Sequence, residues 1–327
     1  MSRRRRGAVQ FTAAVMLLIA SHAALAQQAY PSRPIRVVAP FAAGGLVDVL
    51  ARAVGDKLRP ALGQPIVVDN RPGAGGNIGA DLAARAEPDG YTLLMTSAGI
   101  LTINQFLYTK MPFDPVTAFT PISRVAEMHM LMVVNPAFPA RTVTDFISLA
   151  KKDAGRINFG SPGNGTTGHL GMEMLQVAAG IKLTHVPYKS AAEAVLAVIG
   201  GQIQGVMDNP PTVLQHVRAG TLRAVAVASP VRLPQLPDVP TFDEAGLKGF
   251  EASSWFGMVA PAKTPRPVIE RLNREIVRAL REPDMQNRFT SLGARLAPDT
   301  PEEFAAYIKS ERAKWGKIVR GANITLQ

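Results

Sequence analysis

The chain has no cysteine, only 6% aromatic residues, and no apolar run long enough to cross a bilayer comfortably. Each absence excludes something. Without thiols there is no disulfide framework, no thiolate chemistry and no lipid-attachment cysteine behind a leader peptide. Basic residues exceed acidic ones by eleven, but four of these are Arg3 to Arg6, and +11 less 4 leaves +7 for the remainder. Those residues are scattered rather than gathered with aromatics on one surface, so nucleic acid is not an expected partner. The densest basic stretch, Lys309, Arg312, Lys314, Lys317 and Arg320, has near-helical spacing and reads as a solvated helix face.

The same four arginines, followed by the short apolar run Val9 to Ala20 and then Ala24-Leu25-Ala26, have the order of an export signal. Residues 1–26 are therefore expected to be cleaved, with the mature chain starting at Gln27. A freely soluble protein of roughly 300 residues in the periplasm of a Gram-negative cell follows, stabilised by its core alone.

Apolar runs alternate with amphipathic segments along the rest of the chain. Strands are predicted at Ile35–Ala39, Ile66–Val68, Tyr91–Thr96, Leu131–Val134, Ile157–Gly160, Leu183–Val186, Gln204–Met207 and Arg223–Ala228. Helical periodicity fills the gaps at Val47–Leu62, Asn77–Ala86, Val143–Asp153, Thr167–Ala179, Ala191–Ile199 and Thr212–Ala219. Gly63, Gly180 and Gly220 read as helix stops, and Thr142 with Asp145 as a capping box. Continuous apolar strands between helices imply mostly parallel sheet covered on both faces. The length suits two α/β lobes: residues 27–125 begin lobe 1, 126–250 form lobe 2, and 251–327 complete lobe 1 with C-terminal helices at about Pro265–Arg281 and Pro301–Arg320. Phe119–Val134 carries the chain across and Ser253–Pro261 brings it back, which makes a two-strand hinge. The carboxyl ends of the strands in both lobes would then face one ligand cleft.

The most informative stretch is Gly160-Ser161-Pro162-Gly163-Asn164-Gly165-Thr166-Thr167-Gly168-His169, between a strand and a helix. Glycines and small hydroxyl residues there let backbone N–H groups and the positive end of a helix dipole approach an anion closely. A second strand-to-helix loop, Pro40-Phe41-Ala42-Ala43-Gly44-Gly45, has the same character. Taken alone such a loop is more often an ordinary turn than a ligand loop, and Asp48 in the first helical turn is either a dipole-complementing residue or a ligand contact. Asn70 to Gly79 is glycine-rich but fits neither the dinucleotide pattern nor a Walker lysine, so it reads as a turn on the cleft rim.

The runs Tyr30-Pro-Ser-Arg-Pro-Ile, Pro40-Phe-Ala-Ala-Gly-Gly, Asn70-Arg-Pro-Gly-Ala-Gly-Gly-Asn, Pro88-Asp-Gly-Tyr, Gly163-Asn-Gly-Thr, His185-Val-Pro-Tyr-Lys, Ala224-Val-Ala-Val and Trp255-Phe-Gly, in that order, resemble the Bug proteins over essentially the whole mature chain. These are the periplasmic solute-binding components of tripartite tricarboxylate transporters. The resemblance implies a type II periplasmic-binding-protein fold, α/β in class, without cofactor or metal and monomeric. It would close on a small carboxylate, whether dicarboxylate, tricarboxylate, acidic amino acid or aromatic acid. The partners implied are the large and small membrane subunits of the permease; a membrane sensor kinase reading the same closure stays open as an alternative. By position, the resemblance assigns ligand contacts to Phe41, Ala43, Gly44, Gly45, Val47 and Asp48 in the first loop. It adds Ser97 and Ala98 after the third strand, and Ser161, Gly163, Asn164, Gly165, Thr166, Thr167 and His169 in the second loop. Tyr188, Lys189 and Asp208 complete the set, Asp208 to orient a hydroxyl, amine or water.

Three positions depart from the family: Ala43 replaces a usual proline, Val47 a serine or threonine, and Ser190 a glycine. The loss of a hydroxyl at Val47 makes that side of the cleft more apolar, so an aliphatic or aromatic acid is expected to bind better than a hydroxy-tricarboxylate. A secreted hydrolase is the contrasting reading. The chain has no G-x-S-x-G pentapeptide, and His129, His169, His185 and His216 are dispersed along it, with His169 in a capping or cleft-lining place. Trp255 reads either as a reporter near the hinge or as plain core.

Overall fold

The computed structural model describes residues 30–322, so the export signal lies outside the described residues. Two sheets organise the chain. The first takes β1 (Ile35–Ala39), β2 (Ile66–Asn70), β3 (Thr92–Ser97), β4 (Phe119–His129), β10 (Ser253–Pro261) and β11 (Arg295–Leu296), in the order β11-β4-β10-β3-β1-β2. The second takes β5 (Leu131–Val134), β6 (Asn158–Ser161), β7 (Thr184–Pro187), β8 (Gly205–Asp208) and β9 (Arg223–Val227), in the order β7-β6-β8-β5-β9. Helices α1 (Leu46–Leu62), α2 (Asn77–Ala84) and α3 (Asn104–Leu107) belong with the first sheet, as do the C-terminal α8 (Arg266–Leu280), α9 (Pro283–Ser291) and α10 (Pro301–Ala322). Helices α4 (Val143–Lys152), α5 (Thr167–Ala179), α6 (Ala191–Ile199) and α7 (Pro210–Arg218) belong with the second.

All eight predicted strands form, and their ends lie within two residues of the expected ones. Local chemistry explains the helix ends. Gly63 and Gly180 cap their helices in the left-handed conformation, and Thr142 and Asp145 make the reciprocal capping box. Ser190, where the family usually has glycine, accepts from the Glu193 amide and caps α6.

The mostly parallel expectation needs correction, because both sheets are mixed. Only β1-β2, β1-β3, β6-β7 and β6-β8 pair in parallel. The physical reason is the double crossing. β4 leaves the first sheet toward the second and β10 returns, so they lie antiparallel as neighbours. β5 starts at the level where β8 ends, with Leu131 opposite Asp208, and runs antiparallel to it. A strand that enters a lobe from the cleft must run away from the cleft.

Each sheet buries one face in its own apolar cluster, around Leu50, Leu93 and Leu272 in lobe 1 and Val195, Val206 and Val213 in lobe 2. A third cluster is continuous between the lobes, from Leu94, Leu107 and Trp315 to Met132, Phe159 and Leu170. Trp255, fully buried, belongs to it.

Candidate functional site

The first loop begins where β1 ends. Gly44 has φ +80, a left-handed conformation that favours glycine, and its amide donates to Asp48 Oδ2 at 3.0 Å. Arg52 Nε donates to the same oxygen at 3.0 Å, while Asn70 Nδ2 bonds Asp48 Oδ1 at 3.0 Å and the Phe41 carbonyl at 3.1 Å. The Arg52 hydrogen bond, helped by Gly44 and Asn70, holds the Asp48 carboxyl below the usual carboxylate range against the opposing effect of burial. Asp48 is thus a brace that shapes the loop from within. Gly45 occupies the N-cap of α1 and has no side chain to cap it. Among the described residues, no protein group accepts from the amides of Leu46 and Val47.

The second loop follows β6. Ser161 Oγ accepts from the Gly163 amide at 3.1 Å, lies 2.9 Å from the Gly163 carbonyl, and is 2.7 Å from His185 Nε2. Gly165 has φ +74, and its amide donates to His169 Nδ1 at 3.0 Å. Thr166 caps α5 through the His169 amide. Thr167 Oγ1 lies 3.0 Å from Ser254 Oγ on β10, which ties the helix to the hinge strand. Among the described residues the amides of Thr167 and Gly168 have no protein acceptor, so this helix end also offers free donors.

Between the two loops lies a cavity of about 420 Å³. It brings together Phe41, Gly45, Val47, Ser97, Ala98, Asn164, Gly165, Thr166 and Thr167, from the ends of β1, β3 and β6. The other expected residues lie elsewhere. Ala43 and Gly44 are exposed on the outside of the first loop and do not line the cavity; Asp48, Ser161, Gly163 and His169 spend their polar atoms on bonds that shape the two loops. Tyr188 packs beside Gly160 with the lobe 2 core, and Lys189 is exposed. His169 and His185, far apart in sequence, stack with ring centroids 3.8 Å apart, so the histidines are less dispersed than their sequence positions suggest.

Asp208 does not line the cavity either. Burial pushes its carboxyl up to about 6, offset in part by its hydrogen bond to the Asn209 amide at 2.7 Å. Between the ordinary carboxylate value and about 6, the folded chain keeps a proton that the unfolded chain has released. Stability therefore falls as pH rises through that window. Asp208→Asn should stabilise the fold at pH 7.5 by on the order of 2 kcal/mol, seen as a higher melting temperature, and have little effect at pH 4. Thermal melts of both proteins across pH 4 to 8 check this.

Sequence reading missed much of the apolar wall. Gly99–Ile103 forms a π-helix, which continues into α3 and sets Ile103, Asn104, Leu107 and Tyr108 against the cavity. Asn104 is anchored through Nδ2 to Asn77 Oδ1 at 2.7 Å and the Gly75 carbonyl at 3.2 Å. The π geometry has no simple period, which hid the segment; the turn at Gly75 does reach the cavity rim as expected. Trp255 and Phe256 close the wall at the hinge strand, and Trp255 Nε1 donates to Glu311 Oε2 at 3.2 Å. Among the described residues, no lysine, arginine, histidine, aspartate or glutamate lines the cavity.

The model of the tripartite tricarboxylate transporter family receptor, TctC, matches residues 50–324. Protein BugT of Bordetella pertussis is 36% identical over 299 residues, covering 91% of this chain and 92% of that protein. The solved structure of R. palustris Rpa4515 with adipate superposes with a TM-score of 0.79 at 34% identity, covering 91% of this chain and all of that one. MatC (Rpa3494) from Rhodopseudomonas palustris, with bound malate, gives a TM-score of 0.75 at 33% identity over 89% of this chain and all of that one. These relatives share the two-lobed binding-protein fold and are receptors rather than enzymes, which places the Ser161–His185 contact in the frame of the loop and not in catalysis. The chain belongs to the TctC, or Bug, family of solute-binding receptors of tripartite tricarboxylate transporters.

Proposed function

We propose that the protein is a periplasmic receptor that closes its lobes, residues 27–125 with 251–327 and residues 126–250, on a small carboxylate. It delivers that solute to the large and small membrane subunits of a tripartite tricarboxylate transporter. The observation that carries this reading is a cavity between two helix N-termini with free amides and no charged side chain. A carboxylate placed there meets partial positive charge from Leu46 and Val47 on one side and from Thr167 and Gly168 on the other. Each helix end contributes about 0.3–2 kcal/mol, and the donated hydrogen bonds are charge-assisted.

The walls decide which carboxylate. Phe41, Val47, Ile103, Leu107, Trp255 and Phe256 give apolar surface, while Ser97, Asn104, Tyr108 and Thr167 supply a few polar atoms. An acid with an apolar body matches these walls, whereas citrate would bury a hydroxyl and a third charge among them without a counter-ion. The bound adipate of Rpa4515 belongs to the favoured class. A thermal-shift and calorimetric series should therefore rank adipate or terephthalate above citrate by tenfold or more, about 1.4 kcal/mol. Tighter citrate binding would overturn the preference, and the absence of any carboxylate ligand would overturn the receptor reading.

A further inference from the structure

The lobe 2 loop is held by two stacked imidazoles for which carboxylate binding alone supplies no task. The rings of His169 and His185 lie 11° from parallel, and Phe159 stacks on His185 at 4.8 Å. Because Nδ1 of His169 accepts the Gly165 amide, the proton of the neutral ring is assigned to Nε2, 3.5 Å from Glu173 Oε1. His185 Nε2 meets Ser161 Oγ, which in turn fixes Gly163. The bonds that bend the loop between Ser161 and Gly165 thus lead to the two histidines.

We propose, resting on the reading of the cavity above, that His169 is the positioning residue of this loop: its Nδ1 accepts the Gly165 amide and so holds the bend on which solute capture depends. Without that acceptor the buried Gly165 N–H has no partner, and the loop must turn away. Gly165 sits against Leu107 of lobe 1, where a β-carbon built on it would fall 2.3 Å from Leu107 Cδ1. A displaced loop therefore also loses its seat against the opposite lobe.

The titratable groups facing His169, among the described residues, are Glu173 from its own helix and His185 from β7. Phe159 and Ser161 from β6 bring no charge. Burial, and then the neighbouring His169, push His185 down to about 4, so His185 is neutral at pH 8.

Nuclear magnetic resonance of the 15N-labelled protein without ligand tests the loop directly. At pH 8 a scalar coupling between the Gly165 nitrogen and His169 Nδ1 is expected, with the Gly165 amide protected from exchange. Both should disappear where the acceptor is removed, with exchange faster by at least tenfold at the same pH. His169→Asn sets its Oδ1 where Nδ1 stands and should keep the amide protected. His169→Phe retains a stacking ring without an acceptor and should lose protection at every pH. Normal protection in His169→Phe, or a wild type without the coupling, overturns the proposal; should that variant fail to fold, the wild-type coupling decides alone. In calorimetry with adipate at pH 8, His169→Phe should lose at least tenfold in affinity, most of which His169→Asn restores. If adipate binds neither the wild type nor His169→Asn, the adipate-class ligand assignment fails while the amide data still decide the role of His169.

Discussion

Gly165→Val is expected to abolish capture of adipate or terephthalate while leaving the far-ultraviolet circular dichroism spectrum unchanged. Gly165 holds φ +74, where a β-branched residue is strained by about 1–2 kcal/mol. Its β-carbon would also lie 2.3 Å from Leu107 Cδ1, closer than any real contact allows. Leu107 belongs to lobe 1 and, at 2% exposure, has little free space into which to turn its methyl, so the clash acts to hold the lobes apart. An affinity loss of a hundredfold or more, about 2.7 kcal/mol, should accompany a larger radius of gyration in small-angle scattering. Leu107→Ala in the same chain removes the atom that is struck and should restore part of the compactness. A valine variant that closes and binds normally would remove Gly165 from the site.

Glu311→Ala should be the most destabilising single change near the cavity. This carboxylate is 5% exposed and accepts from two indoles, Trp255 Nε1 at 3.2 Å and Trp315 Nε1 at 2.9 Å, while pairing with Lys314. Its removal leaves two buried donors without a partner and opens a void beside the cavity wall. Orphaned buried donors cost about 1–3 kcal/mol each, so a total of about 3–5 kcal/mol is expected. For a protein of this size that lowers the melting temperature by roughly 10 °C. Differential scanning calorimetry measures it. Glu311→Gln keeps an acceptor and should lose less than half as much.

Much of this architecture could be read from the sequence because it rests on local rules. Alternating apolar strands and periodic helices located β1 to β3 and β5 to β9, and small residues marked both loops. What stayed hidden depends on contacts distant in the chain. The antiparallel strands follow from the hinge crossing the molecule twice, which no window of residues reveals. Asp48 and His169 were legible as loop residues but not as internal braces, since that requires knowing that Arg52, Asn70 and the Gly165 amide reach them. The π-helix at Gly99–Ile103 and the wall residue Leu107 lacked any periodic signal.

Gly45 leaves the first turn of α1 without the oxygen atom that a serine or aspartate would have provided at that place. On the proposed reading, the incoming carboxylate fills this role, so that cargo and helix cap are one chemical group. The receptor completes its own secondary structure only when loaded, and must surrender part of it each time the membrane partner takes the solute away.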